Sequence, residues 1–275
     1  VTTAAPFRVA LAQMVSTPKV AENLDAAAGL VAEAAQQGAK LVALPEYFCI
    51  LGMRDTDKVA AREKDGAGPI QEFLSATARR HGVWLVGGSV PLECADSSKV
   101  RNSCLIYDSE GRRVARYDKI HLFGLELGAE RFDEGRTIEA GGTPCAIDSP
   151  FGRIAVSVCY DVRFPELYRA LAPMDIILVP SAFTATTGRA HWEALLRARA
   201  IENLAWVLAP AQGGTHPNGR QTHGHSMIVD PWGKVVAERT TGAGLVVADI
   251  DPAFQAQVRK SLPALTHRVL AGRGS

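Results

Sequence analysis

Residues Arg153–Glu166 read RIAVSVCYDVRFPE. The apolar alternation through Val158 predicts a buried strand, Arg153–Val158. A cysteine follows, then the polar run Tyr160-Asp161-Val162-Arg163. Pro165 then supplies a helix start, and a helix is expected over Pro165–Ala172. Strand, turn and helix in that order form the repeating unit of an α/β protein.

Working outward, the same signals recur. Strands are expected at Phe7–Met14, Leu41–Leu44, Val83–Val90, Asp175–Val179, Ala205–Ala209, Ser226–Val229, Val235–Glu238 and Leu245–Ile250. Leu24, Ala27, Ala28, Val31, Ala34 and Ala35 repeat with helical period, and Gly38 stops them. A second helix opens at Pro69, turns Ile70, Phe73, Leu74 and Thr77 inward and closes at Gly82; a third is expected over Ala190–Asn203. Asn102–Tyr107 and Arg113–Tyr117 flank Ser109-Glu110-Gly111 as an antiparallel hairpin. Alternation mixed with hairpins predicts mixed sheets covered by helices. Without a repeat, a low-complexity linker or a boundary signal, residues 1–275 read as one domain, with a loose tail at Ala271–Ser275.

Composition narrows the function. With 30 Lys+Arg against 29 Asp+Glu the net charge is +1, which argues against a broad electrostatic grip on nucleic acid or acidic membranes. The chain is 47% hydrophobic and 21% charged, so it can build a core. No apolar run approaches the ~18–20 residues of a membrane span. Val1–Met14 reads as a first strand rather than a signal peptide. Five dispersed cysteines without a CxxC fit a reducing, cytoplasmic setting. Phosphate-cradling motifs and the GxSxG elbow are both missing.

The candidates for chemistry lie at strand ends. Cys159 follows Val158, where a fixed backbone can present an accessible sulfur to a substrate; the alternative is a small buried hydrophobe. Glu46, in LVALPEYF, stands beside Tyr47 and Phe48, where burial would raise its carboxyl pKa toward that of a thiol; the alternative is a surface carboxylate. Lys119, in RYDKIHLF, can lower the thiol pKa and hold an oxyanion, or snorkel to solvent. Glu134, in RFDEGRT, can orient Lys119 or a substrate amine, or be a loop carboxylate. His216, His223 and His225 suggest a metal pair, with His223 and His225 on one strand face. No carboxylate or cysteine completes that site nearby, so no metal is expected. Glu193 and Arg197 fit a helical i,i+4 pair.

Together, Glu46 in LPEYF, Lys119 in DKIHLF and Cys159 in CYDVRFPE resemble the Glu-Lys-Cys triad of the nitrilase superfamily. The likeness extends through FRVALAQM, GRRVARYDK, VPSAFTATTGRAHWEALLRARAIEN, GHSMIVDPWG and SLPAL. It implies a four-layer αββα sandwich, a homodimer or higher homo-oligomer, and a cofactor-free amidase using a thioester intermediate on a small-molecule amide. True nitrilases usually carry Cys-Trp-Glu; Cys159-Tyr160-Asp161 here resembles the Nit-type amidases. PSAF and RARAIE resemble the branch acting on deaminated glutathione more than the omega-amidases, which are the nearest rival reading. A nitrilase, an N-carbamoyl hydrolase and an inert interaction module are the more distant ones. The resemblance gives Glu46, Lys119, Cys159 and Glu134 catalytic roles and makes the Tyr160 N–H an oxyanion donor. It places Tyr47, Phe183 and Thr187 near the pocket. Arg163 either meets a substrate carboxylate or pairs with Asp161 or Glu166. The segment GLELGAERFDEG, residues 124–135, departs from the usual Nit-type loop.

Overall fold

The computed structural model describes residues 5–128 and 130–270, so the expected tail at 271–275 lies outside the described residues. The N-terminal half contributes strands β1 (Phe7–Gln13), β2 (Leu41–Ala43), β3 (Trp84–Val86), β4 (Val90–Leu92), β5 (Arg101–Tyr107) and β6 (Arg113–Asp118). Helices α1 (Val20–Gln36), α2 (Asp57–Ala60) and α3 (Pro69–His81) interleave with them. A short hairpin follows, β7 (Gly124–Leu127) and β8 (Glu130–Asp133). The C-terminal half contributes β9 (Cys145–Ser149), β10 (Gly152–Val156), β11 (Ile176–Leu178), β12 (Trp206–Ala209), β13 (Ser226–Val229), β14 (Val235–Arg239) and β15 (Gly244–Ile250). Its helices are α4 (Pro165–Leu171), α5 (Ala185–Asn203) and α6 (Pro252–Ser261).

These strands form two large mixed sheets. One runs β15-β1-β2-β3-β5-β4, with β6 also on β5; the other runs β14-β13-β12-β11-β10-β9. Each has a parallel centre, β1-β2-β3 and β10-β11-β12. Parallel strands need crossovers, and the crossover helices cover the sheets. Strand β1 shows the consequence. Val9 and Leu11 pack toward the second sheet with Ile154, Val156 and Leu178, while Ala10 and Ala12 pack under Ala27 and Val31 of α1 and Leu74 of α3. Both faces are buried, so the strand reads as an unbroken apolar run. Trp192, Leu196 and Ala200 of α5 cover the second sheet. The layering is α, β, β, α.

Two expectations need correction. Val83–Val90 is two strands, broken at Gly87-Gly88. Gly88 has φ +52°, and a Cβ there would lie 2.0 Å from the Pro45 carbonyl oxygen, so only glycine lets this turn press against the segment before Glu46. Helix α5 begins at Ala185 rather than at the expected Ala190, because the Thr184 hydroxyl caps it by accepting from the Thr187 N–H at 3.2 Å. No helix among the described residues is long and apolar enough to cross a membrane.

Candidate active site

Glu46 lies three residues beyond the end of β2, Cys159 three beyond β10, and Lys119 directly after β6. The ends of both sheets' central strands therefore converge on one point. Lys119 is fully buried, and its Nζ donates to Glu46 Oε1 at 2.8 Å and to Glu134 Oε2 at 2.7 Å. Asn102 Nδ2 donates to Glu46 Oε1 at 2.9 Å. Glu134 also accepts from the Phe123 N–H and the Tyr47 hydroxyl, each at 2.7 Å.

The two glutamates share one ammonium yet titrate in opposite directions. Burial pushes the Glu46 carboxyl above its ordinary range, and Lys119 offsets this only partly. Burial acts on Glu134 too, but Lys119, the Phe123 N–H and the Tyr47 hydroxyl outweigh it and hold that carboxyl low. Burial lowers the Lys119 pKa, and the two carboxylates overcome that, keeping Nζ protonated well above the usual lysine value. Glu134 is thus the standing counter-ion, and Glu46 is free to exchange a proton.

Cys159 and Glu46 line one narrow inner pocket, of about 10 Å³, with Glu134, Tyr160, Phe183 and Thr187. The thiol is held well above its ordinary pKa, by burial first and then by Glu46, with Lys119 opposing. Lys119 does pull the thiol pKa down, as expected, but burial and the two carboxylates outweigh it. The resting group is a neutral thiol beside a carboxylate of raised basicity, an arrangement suited to proton transfer during attack.

The turn that presents Cys159 is strained and firmly tied. Cys159 has φ +52° in a chain of L-residues, a conformation costing roughly 1–3 kcal/mol. Its N–H donates to the Pro180 carbonyl at 2.9 Å. The buried Asp161 carboxylate accepts from the Val158 N–H at 2.9 Å, the Tyr117 hydroxyl at 2.7 Å and the His121 N–H at 3.0 Å. His121 Nδ1 lies 2.7 Å from the same carboxylate, and its ring stacks on Phe164. Tyr47, next to Glu46, has φ +56° and donates its N–H to Ser89 Oγ at 2.9 Å.

The remaining candidates separate. Phe183 packs on Trp192, and the Thr187 hydroxyl meets that of Thr184 at 2.9 Å. Tyr47 lines an outer cleft rather than the inner pocket. Arg163 lies behind the aromatic wall, over the rings of Tyr160 and Phe183, with Nη1 3.2 Å from His191 Nδ1. Among the described residues it pairs with neither Asp161 nor Glu166. His223 and His225 stack their rings, but in the turn before β13, where His225 bonds Glu238. His216 is elsewhere, between the Ser16 carbonyl and the Thr222 hydroxyl. No cluster of three metal-binding side chains occurs among the described residues.

Sequence reasoning passed over Asn102, Asp161 as an anchor, and Arg220. Asp161 was detectable as a polar residue locked inside an apolar turn. Arg220 lies in an irregular loop with no periodic signal.

Known proteins place this chain in a class. The carbon-nitrogen hydrolase family model matches residues 8–260. A deaminated glutathione amidase of Synechocystis sp. (strain PCC 6803 / GT-S) is 43% identical over 96% of this chain and 98% of its own length. The omega-amidase NIT2 of Xenopus tropicalis is 36% identical over 96% and 95%. The crystal structure of Saccharomyces cerevisiae Nit3, a member of branch 10 of the nitrilase superfamily, superposes with a TM-score of 0.88 at 30% identity, covering 97% of each chain. The chain belongs to the carbon-nitrogen hydrolase family. It is an amidase-type enzyme of the nitrilase superfamily fold.

Proposed function

We propose that Cys159 is the nucleophile of an amidase that cleaves deaminated glutathione to 2-oxoglutarate and cysteinylglycine. The observation carrying this reading is the ion triplet of the buried Glu46 and Lys119 with the half-buried Glu134, beside the Cys159 thiol. Three charges removed from water are a poor way to stabilise a fold, since apolar side chains would serve as well or better. Chemistry explains their retention. Glu46 takes the Cys159 proton as sulfur attacks the amide carbonyl. Lys119 and the N–H of Tyr160, which lies in the first turn of its short helix and has no acceptor within it, hold the oxyanion. Each such donor is worth about 3–4 kcal/mol in the transition state. Glu46 passes its proton to the departing amine, leaving a thioester, and then draws a proton from the water that hydrolyses it. Glu134 keeps Lys119 charged and in place.

The 43% identity to a deaminated glutathione amidase supports the substrate; the 36% identity to an omega-amidase supports 2-oxoglutaramate as the second reading. The test measures kcat/KM on both compounds, with Cys159→Ala as control. A preference above about 100-fold, worth about 2.7 kcal/mol, decides between them. The acid limb of kcat/KM should lie above the ordinary glutamate pKa of about 4.3, because Glu46 must be ionised and its pKa is raised. Undiminished turnover by Cys159→Ala overturns the mechanism.

A further inference from the structure

The inner pocket has room for little more than one water-sized group, so it can hold the reacting carbonyl but not a whole extended substrate. It adjoins an outer cleft of about 660 Å³, and Thr184 and Arg220 form part of both walls. Five cations line this cleft, Arg54, Lys58, Arg131, Arg189 and Arg220, against the acids Asp55 and Glu130. Arg54 and Arg131 are engaged by Asp57 and Glu126. Glu130 accepts from the Thr186 hydroxyl at 2.7 Å. Lys58, Arg189 and Arg220 make no ion pair among the described residues.

Arg220 is held in position without being neutralised. Its Nη2 donates to the Ala182 carbonyl at 3.0 Å, its guanidinium lies over the Phe132 ring, and its Nε is buried without a hydrogen-bond partner among the described residues. Lys58 lies over the Tyr47 ring and donates to Thr137 Oγ1 at 3.2 Å. Burial depresses the Lys58 pKa; Asp55 and Glu134 oppose this in part, and the positive charge of Arg220 adds to the depression. The capped N-terminus of α5, Thr184–Thr186, also faces the cleft and adds a positive dipole end. Gathered cations around an open cleft, three of them without an ion pair among the described residues, are arranged for an anion.

The two ends of an amide substrate have different fates. The acyl part stays bonded to Cys159 until water arrives, whereas the amine must leave for bulk solvent. The open cleft is the exit. Building on the amidase reading above, we propose that this cleft is the leaving-group subsite and takes an extended amine whose far end is a carboxylate, held by Arg220 and Arg189 with Lys58 beside them. The enzyme is thereby suited to peptide-like leaving groups rather than to ammonia.

The test uses three amides of the distal carboxyl of 2-oxoglutarate: the primary amide, the glycylglycine amide with its free carboxylate, and the neutral glycylglycinamide analogue. The wild-type enzyme should favour the free carboxylate over the neutral analogue by at least about tenfold in kcat/KM, the scale of one charge-assisted contact. That ratio should fall toward one in Arg189→Ala and in Arg220→Ala, and should shrink with added salt. If Arg220→Ala fails to fold, Arg189→Ala carries the test. Equal turnover of the charged and neutral dipeptide amides by the wild type, or an unchanged ratio in the variants, overturns the subsite and leaves the amidase reading intact. Failure to turn over any of the three overturns the 2-oxoglutarate amide as the substrate, and the subsite with it.

Discussion

The buried Glu46–Lys119–Cys159 cluster and the outer cleft handle charge in opposite ways. In the cluster each charge has its partner: Lys119 carries two carboxylates, and Asn102, Phe123 and Tyr47 supply further donors. Glu46, Lys119 and Cys159 each follow a strand of one of the two large sheets, so their positions are fixed by the two cores, and Glu134, at the foot of the β7–β8 hairpin, is tied to them through Lys119. In the cleft the side chains come from loops, from α2, from the first turns of α5 and from the β7–β8 hairpin, and three cations lack acidic partners among the described residues. Inside a low-dielectric site an unpaired charge is costly, whereas beside water it is tolerated. Pairing therefore marks the part of the molecule that must not move, and unpaired charge marks the part left open for a ligand.

The largest effect should come from breaking the pairing. Lys119→Met keeps the bulk but leaves the buried Glu46 and the half-buried Glu134 without their cation. Loss of one partner from a buried ion pair costs about 3–5 kcal/mol, and loss of an oxyanion donor costs about 100- to 1,000-fold in kcat. Urea unfolding and steady-state kinetics on the same preparation measure both. A stable variant of normal activity would show that the ion triplet is incidental.

The strained turn beside it should respond less. Asp161→Asn retains the shape but replaces one acceptor oxygen with an NH2 among groups that are themselves donors. The mismatch should cost about 1–3 kcal/mol of stability. Because Asp161 fixes the backbone that carries Cys159, kcat should drop more than KM rises. An unchanged kcat in a destabilised variant would mean that the remaining contacts, the Cys159 N–H to Pro180 and Arg199 to the Val162 carbonyl among them, suffice to hold the turn.

The same division governs what could be read from the sequence. Strand ends were legible because an apolar run that stops at Pro45-Glu46 or at Val158-Cys159 has a physical signature. The capping threonine Thr184 was missed because its signal is a single hydroxyl rather than a period. The β7–β8 hairpin was missed for a related reason. Its strands are four residues each, and most of its side chains are exposed, so no burial pattern constrains them. Helix α6 and strand β9 also escaped, since each buries little of its surface. The acid–base chemistry was legible in residue types, but the opposite titration of Glu46 and Glu134 was not. It depends on the Phe123 N–H and the Tyr47 hydroxyl reaching only Glu134, whose charge in turn raises Glu46.

The smallest effect, and the sharpest on the cleft, concerns Phe132 in β8. Its ring supports the Arg220 guanidinium at 5.3 Å, and it packs against Phe123, which lines the inner pocket. A partly exposed cation–ring contact contributes about 0.5–1 kcal/mol, and the hairpin adds little to either core. Phe132→Ala should therefore lower stability by less than about 1 kcal/mol, leave the thermal midpoint within a few degrees, and raise KM several-fold through a misplaced Arg220. The thioester chemistry, fixed by the strand ends, should proceed at a similar kcat. If kcat fell instead while KM held, the hairpin would belong to the rigid half of the comparison. Phe132 would then act through Phe123 on the Glu134 carboxylate that the Phe123 N–H holds, and the boundary between fixed cluster and open cleft would run outside the hairpin rather than beneath it.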